Sequence, residues 1–152
     1  MSDIFRVSTK AVIHKGGKFL IVQKPSGAWD LPGGRLELDE DPENGLAREV
    51  EEELGVSVEI GELVDCCVRP KIEKPDVFCV AYLCDMTFDL EDIRLSDEHV
   101  EARLLKLDGL KGLEVDPGYR RIINRAARRL AGEAAPLTLR AAASDRIPVH
   151  SL

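Results

Sequence analysis

The sequence predicts an α/β fold, a mixed β-sheet covered by helices. Three observations carry this expectation. Two β-rich runs open the chain and are joined by Lys15-Gly16-Gly17; a helix signal runs from Asp41-Pro42 to Gly55 with further β-rich runs behind it; and Asp116-Pro117 opens a closing helix. At 152 residues, 44% hydrophobic and 32% charged, the chain suits one domain with one sizeable core.

Residues 4–14, IFRVSTKAVIH, and 18–23, KFLIVQ, read as a strand hairpin, and Ala11, Val12, Ile13, Leu20, Ile21 and Val22 as interior strand positions. Pro25-Ser26-Gly27 breaks the pattern. Trp29-Asp30-Leu31-Pro32-Gly33-Gly34 follows as a loop, with a rigid proline and two permissive glycines. Asp41 as N-cap, Pro42 as first helical residue and Gly55 as stop define a helix over 42–54. Its inner face is Leu46, Val50 and Leu54. Glu49, Glu52 and Glu53 share another face at i, i+3 and i+4, close enough to serve one ion cluster. Gly45, unfavourable in a helix interior, implies close packing there.

Residues 56–70 and 77–88 read as strands, the second central because it is rich in Val, Phe and Tyr, and 101–107 as a shorter one. The last helix runs from Pro117 to Leu130. Ile122, Ile123, Ala126, Ala127 and Leu130 face inward, and Arg120, Arg121, Arg125, Arg128 and Arg129 form a solvated face. This gives a domain over 1–132 and a tail over 133–152 that is loose or contacts a partner.

The net charge of −7 argues against stable nucleic-acid binding, which wants a dense basic surface, but leaves room for a small anion held by local cations. Cys66, Cys67, Cys79 and Cys84 form no CxxC pair and read as buried thiols, with Cys66 and Cys67 on opposite faces if their segment is a strand. No run of about eighteen apolar residues suggests a membrane span, and the N-terminus lacks the apolar stretch of a signal peptide. The expected location is cytoplasmic.

From Gly34 to Val56 the chain reads GRLELDEDPENGLAREVEEELGV: Gly34, five residues, Glu40, seven residues, Arg48-Glu49-Val50, one residue, Glu52-Glu53, one residue, Gly55-Val56. Seven fixed positions at roughly 10% usage each would match a given start about once in 10^7 by chance. In this pattern, with LPGG upstream, the chain closely resembles the Nudix hydrolases over about residues 5–131. The resemblance sharpens the fold to an α/β/α sandwich with a mixed sheet and implies a hydrolase of nucleoside diphosphates linked to another moiety.

Such chemistry needs cations on the diphosphate oxygens, a positioned water and a proton acceptor. Magnesium suits a few carboxylates plus substrate oxygens, with manganese a possible substitute. The resemblance implies that Glu52 and Glu53 are the principal metal ligands, that Glu49 is a further ligand or the general base, and that the Gly33 carbonyl completes the site. Glu40 would be a metal or water ligand. Arg48 reads as support, orienting a carboxylate through paired hydrogen bonds. In SDEHVEARLLKL, Glu98 is the first choice for a catalytic helper, with His99 and Glu101 behind it. Trp29, Phe78 and Tyr82 are candidates to stack a base.

The favoured reaction is a nucleoside triphosphate cleaved to monophosphate and pyrophosphate. ADP-ribose or nucleotide-sugar cleavage is the runner-up, and a noncatalytic nucleotide sensor is the alternative of another class, disfavoured by the intact carboxylates. A homodimer is allowed by the resemblance and by the apolar tail.

Overall fold

The computed structural model describes residues 4–132, so the tail over 133–152 lies outside the described residues. Strand β1 (Arg6–Lys15) turns through Gly16-Gly17 into β2 (Lys18–Gln23) as expected. Then follow β3 (Trp29–Asp30), β4 (Gly33–Arg35), α1 (Pro42–Leu54), β5 (Leu63–Arg69), β6 (Val77–Asp85), β7 (Glu101–Leu105) and α2 (Pro117–Leu130). The sheet path is β3-β2-β1-β6-β5, with β4 added on β1 and β7 on β2. Only β1 and β6 run parallel, in register from Arg6 opposite Val77 to His14 opposite Asp85, so the sheet is mixed. Strand β6 is interior, as its composition predicts.

One edge of β1 changes partner part-way along. Ser8, Thr9 and Lys10 pair with Arg35, Gly34 and Gly33 of β4, whereas His14 and Lys15 pair with Phe19 and Lys18 of β2. Between them the Ala11 N–H donates to the Pro32 carbonyl at 2.8 Å. This fork brings the Leu-Pro-Gly-Gly segment into the sheet.

Two cores make the sandwich. On one face α1 sets Leu46, Val50 and Leu54 against Ala11, Ile13, Leu20 and Val22. On the other α2 sets Tyr119, Ile122, Ile123 and Ala126 against Val12, Phe19, Ile21 and Leu31. Both helices open with proline at the start and have the bounds expected from sequence. At Gly45 a Cβ would meet Glu40 Oε1 and Leu36 Cδ1 at 2.8 Å, which accounts for the helical glycine.

Several expectations need correction. Residues 56–62 are not strand; Val56, Val58 and Ile60 pack into the α1-side core without ladder partners, and pairing with β6 settles into register only beyond a bulge at Leu63/Asp65. The Trp29–Gly34 stretch is not a simple loop, because β3 and β4 form within it and its edges. Leu130 points outward, 41% exposed. The arginine face of α2 is more than solvated surface. Arg121 and Arg125 reach Asp65, Arg121 also donates to the Cys66 carbonyl and Arg129 to the Leu63 carbonyl, which ties α2 to the edge strand β5. Cys67, Cys79 and Cys84 are buried as expected, but Cys66 is exposed, because it and Cys67 lie on opposite faces of β5. Among the described residues no helix is long and apolar enough to cross a membrane.

Leu46→Ala is expected to lower unfolding free energy by about 2–5 kcal/mol, because a fully buried leucine leaves a cavity between α1 and the sheet. Urea denaturation would check it; a loss below about 0.5 kcal/mol would contradict this packing.

Candidate active site

The site is built where the β1 fork meets the outer turns of α1. Gly33 has φ +137, and a side chain there would run into the Thr9 carbonyl. At Gly34 an added Cβ would lie 2.5 Å from the Glu49 carboxyl carbon. These two glycines therefore let the loop close onto the helix and its acids.

Arg48 organises three of the motif glutamates. Its Nε and Nη2 donate to the two oxygens of Glu40 at 3.1 and 2.7 Å, and its Nη1 donates to Glu49 at 3.1 Å and Glu52 at 3.2 Å. Nη2 also reaches the Arg35 carbonyl. The Arg48 hydrogen bonds, helped by the Glu37 N–H, pull the Glu40 carboxyl down to about 2. The expected supporting geometry of Arg48 is thus present, directed chiefly at Glu40.

Glu53 lies beyond this network. Only 2% exposed, it accepts a long hydrogen bond from the Gly33 N–H at 3.4 Å. Burial pushes its carboxyl up to about 8, against the opposing charge of Lys10 and with added repulsion from Glu98 and Glu49. Burial raises Glu49 as well, with the hydrogen bond from Arg48 opposing and Glu52 and Glu98 adding. Here is a carboxylate cluster short of positive charge. Its donor set of exposed and buried carboxylates fits a hard divalent cation.

The segment after β6 is strapped to the end of α1. The Arg94 N–H donates to the Leu54 carbonyl at 2.8 Å and the Ser96 N–H to the Glu53 carbonyl at 3.0 Å. This brings Glu98 and His99 to Glu53, with one potential ligand atom from each of the three within 4.8 Å of the others. His99 is 8% exposed, and burial lowers its pKa. Glu101, the other candidate from this stretch, is turned away in β7 and pairs with Arg103 at 2.7 Å.

Behind the acids stands a cationic group that sequence reasoning missed. Buried Lys10 donates to Asp30 at 3.2 Å and to the Leu31 carbonyl at 3.2 Å, and Lys24 lies 3.5 Å from Asp30. Burial alone would raise Asp30, but Lys10, Lys24 and Arg69 outweigh it and hold the carboxyl low. Arg69 lies over the Tyr119 ring, donates to its hydroxyl at 2.9 Å and binds Asp116 at 3.2 Å. The available signal was Lys10 itself, a charge beside the apolar run Ala11-Val12-Ile13.

The three candidate stacking residues do not converge. Trp29 is enclosed in the α2-side core with the Arg103 guanidinium 4.8 Å from its ring centre, Tyr82 belongs to the α1-side core, and Phe78 is half-buried in β6.

The NUDIX domain family pattern matches residues 5–126. The chain belongs to the Nudix family. It is 53% identical over 53 residues to a MutT-like protein of Streptomyces ambofaciens, a match covering 34% of each chain. It is 41% identical over 59 residues to the CTP pyrophosphohydrolase of Escherichia coli, covering 36% of this chain and 44% of that one. These alignments therefore span less than half the length of either relative. The crystal structure of the MutT protein from Methanosarcina mazei superposes with a TM-score of 0.74 at 27% identity, over 86% of this chain and 98% of that one. This Nudix likeness covers the whole sandwich.

A pH dependence follows from the buried acid. Glu53 rises from its ordinary 4.5 to about 8 on folding, so the unfolded chain loses this proton first and stability should fall as pH climbs between those values. His99, lowered from 6.5, opposes this below that pH because its unfolded form binds the extra proton. Metal-free protein should therefore lose stability most clearly from about pH 6.5 to about 8. Thermal melts should show that slope and its flattening in Glu53→Gln; equal slopes would contradict the assignment to Glu53.

Proposed function

We propose that this Nudix protein is a magnesium-dependent pyrophosphohydrolase that cleaves a nucleoside triphosphate to monophosphate and pyrophosphate. The observation that carries the reading is the acid cluster around buried Glu53, which the Arg48 network does not include: Glu49 is raised and Glu98 strapped beside it, with cationic Lys10 acting on both Glu53 and Asp30. Glu52, Glu53 and the Gly33 carbonyl would hold the ion, with Glu49 as a further ligand or the base. Bound metal would neutralise phosphate oxygens and acidify a water.

The remaining work falls to the protein. Glu40, both of whose oxygens are engaged by Arg48, is assigned to fixing that arginine, and through it Glu49 and Glu52 are oriented. Glu98, exposed at the mouth of the cluster, is the helper in this reading, either taking the proton of the attacking water or offering an oxygen to the ion. Lys10, Lys24, Arg69 and Lys71 form one mutually interacting group with Asp30. In a chain of net charge −7 this local concentration of cations suits a small polyphosphate. Of the aromatic candidates, half-buried Phe78 retains ring surface for a base. The CTP pyrophosphohydrolase and the 8-oxo-dGTP diphosphatase among the relatives support the triphosphate, and the ADP-ribose pyrophosphatase among them, matched over more of the chain, supports the second reading.

Mass spectrometry of products from nucleoside triphosphates, nucleotide sugars, ADP-ribose and dinucleoside polyphosphates tests the proposal. Magnesium-dependent cleavage of triphosphates, reduced by at least about 100-fold in Glu52→Gln, is the expected result. Cleavage confined to ADP-ribose or nucleotide sugars would change the substrate class, and tight nucleotide binding without turnover would favour a sensor. Arg48→Lys should weaken magnesium binding or turnover by about 10–100-fold, since the bidentate hold on Glu40 is lost. Magnesium at about a hundred times its Kd should also stabilise the fold by roughly 2.7 kcal/mol, read as a higher Tm.

A further inference from the structure

We propose that His99 is a nitrogen ligand of the cation held at Glu53, with Glu98 beside it, which makes this a mixed nitrogen and oxygen site that admits magnesium but binds a first-row transition dication more tightly. The inference rests on the reading of Glu53 as a metal-facing acid and adds a ligand to it.

The imidazole is almost fully enclosed, and its Nδ1 has no hydrogen-bond partner. It lies 3.7 Å from Glu53 Oε2. That is too far for a hydrogen bond, which wants about 2.7–3.2 Å. It is within the reach of one ion: two ligand atoms each bonded at about 2.1 Å lie no more than about 4.2 Å apart. Glu98, exposed at the same point, offers a third atom.

The backbone that carries the ring is also held in place. The His99 backbone N–H donates to the Ser96 carbonyl at 3.3 Å, the Val100 N–H donates to the Gln23 carbonyl at 2.8 Å, and the Ser96 N–H donates to the Glu53 carbonyl. A buried nitrogen kept without a partner and aimed at a buried carboxylate is a costly arrangement unless something lies between them. An imidazole ligand strengthens binding of first-row transition ions, whereas magnesium is satisfied by oxygen.

Manganese titrated into the full chain and followed by electron paramagnetic resonance tests this without reference to turnover. The three histidines are His14, His99 and His150. Pulsed measurements should show imidazole 14N modulation in the wild type and in His14→Ala and His150→Ala, and none in His99→Ala or His99→Gln. The manganese Kd should rise by about tenfold or more in the His99 variants, with magnesium affinity, measured by competition, changed far less. The wild-type, His14→Ala and His150→Ala spectra together decide even where a His99 variant fails to fold. Manganese bound without nitrogen modulation, or equal losses for both metals, would overturn the role of His99 and leave the carboxylate site standing. No manganese binding at all would overturn both readings.

Discussion

A carboxylate on the inner side of α1, Glu53, sets the terms for the surrounding structure. It follows Val50 by three residues and precedes Leu54, so it enters the sandwich with the core side chains. Burying an acid there carries a desolvation penalty that an apolar residue would avoid. The fold answers with a single long amide contact from Gly33 and the more distant charge of Lys10. The raised pKa of Glu53 is the result, and a cation is the group that would relieve it.

The other glutamates show that this shortage is local. Arg48 faces Glu40, Glu49 and Glu52 together, and the low pKa of Glu40 marks where its charge is most concentrated. Because α1 carries one arginine in this stretch, the positive charge stops short of Glu53. The helix thus has a compensated end to the cluster, which fixes geometry, and an uncompensated end, which leaves a demand for positive charge. Gly33 and Gly34 complete the arrangement by allowing backbone to approach where any side chain would collide.

Helix positions and the motif acids were legible because their signals are local: proline after aspartate, glycine at the stop, and fixed spacing along one turn after another. The fork in β1 was not, since pairing Lys10 with Gly33 joins residues far apart in the chain and only the folded sheet relates them. The same applies to Asp30, Arg69 and Tyr119, which come from three elements and meet behind Lys10. The run from Val56 to Ile60 looks like a strand by alternation, yet its apolar side chains fill the α1-side core without a neighbouring strand to pair with. Alternation reports a buried side, and a ladder needs a partner as well. Charge sign alone places the arginines of α2 on a solvated face, whereas their positions opposite β5 give Arg121, Arg125 and Arg129 specific acceptors.

Lys10 connects the two halves of the site. It stands on β1 at the fork, its amine bound to Asp30 and its charge felt by Glu53. The acids come from α1 and the strap after β6, while the cations around Asp30 come from β1, β5 and the stretch after β2. In the proposed reading, one set handles the reacting phosphate and the other the rest of the anion. Changes on β5 or α2 could then alter which molecule is held without disturbing the metal-facing acids, but a change at Lys10 would act on both. In that reading a single buried lysine couples recognition to chemistry, and the sheet fork is what puts it there.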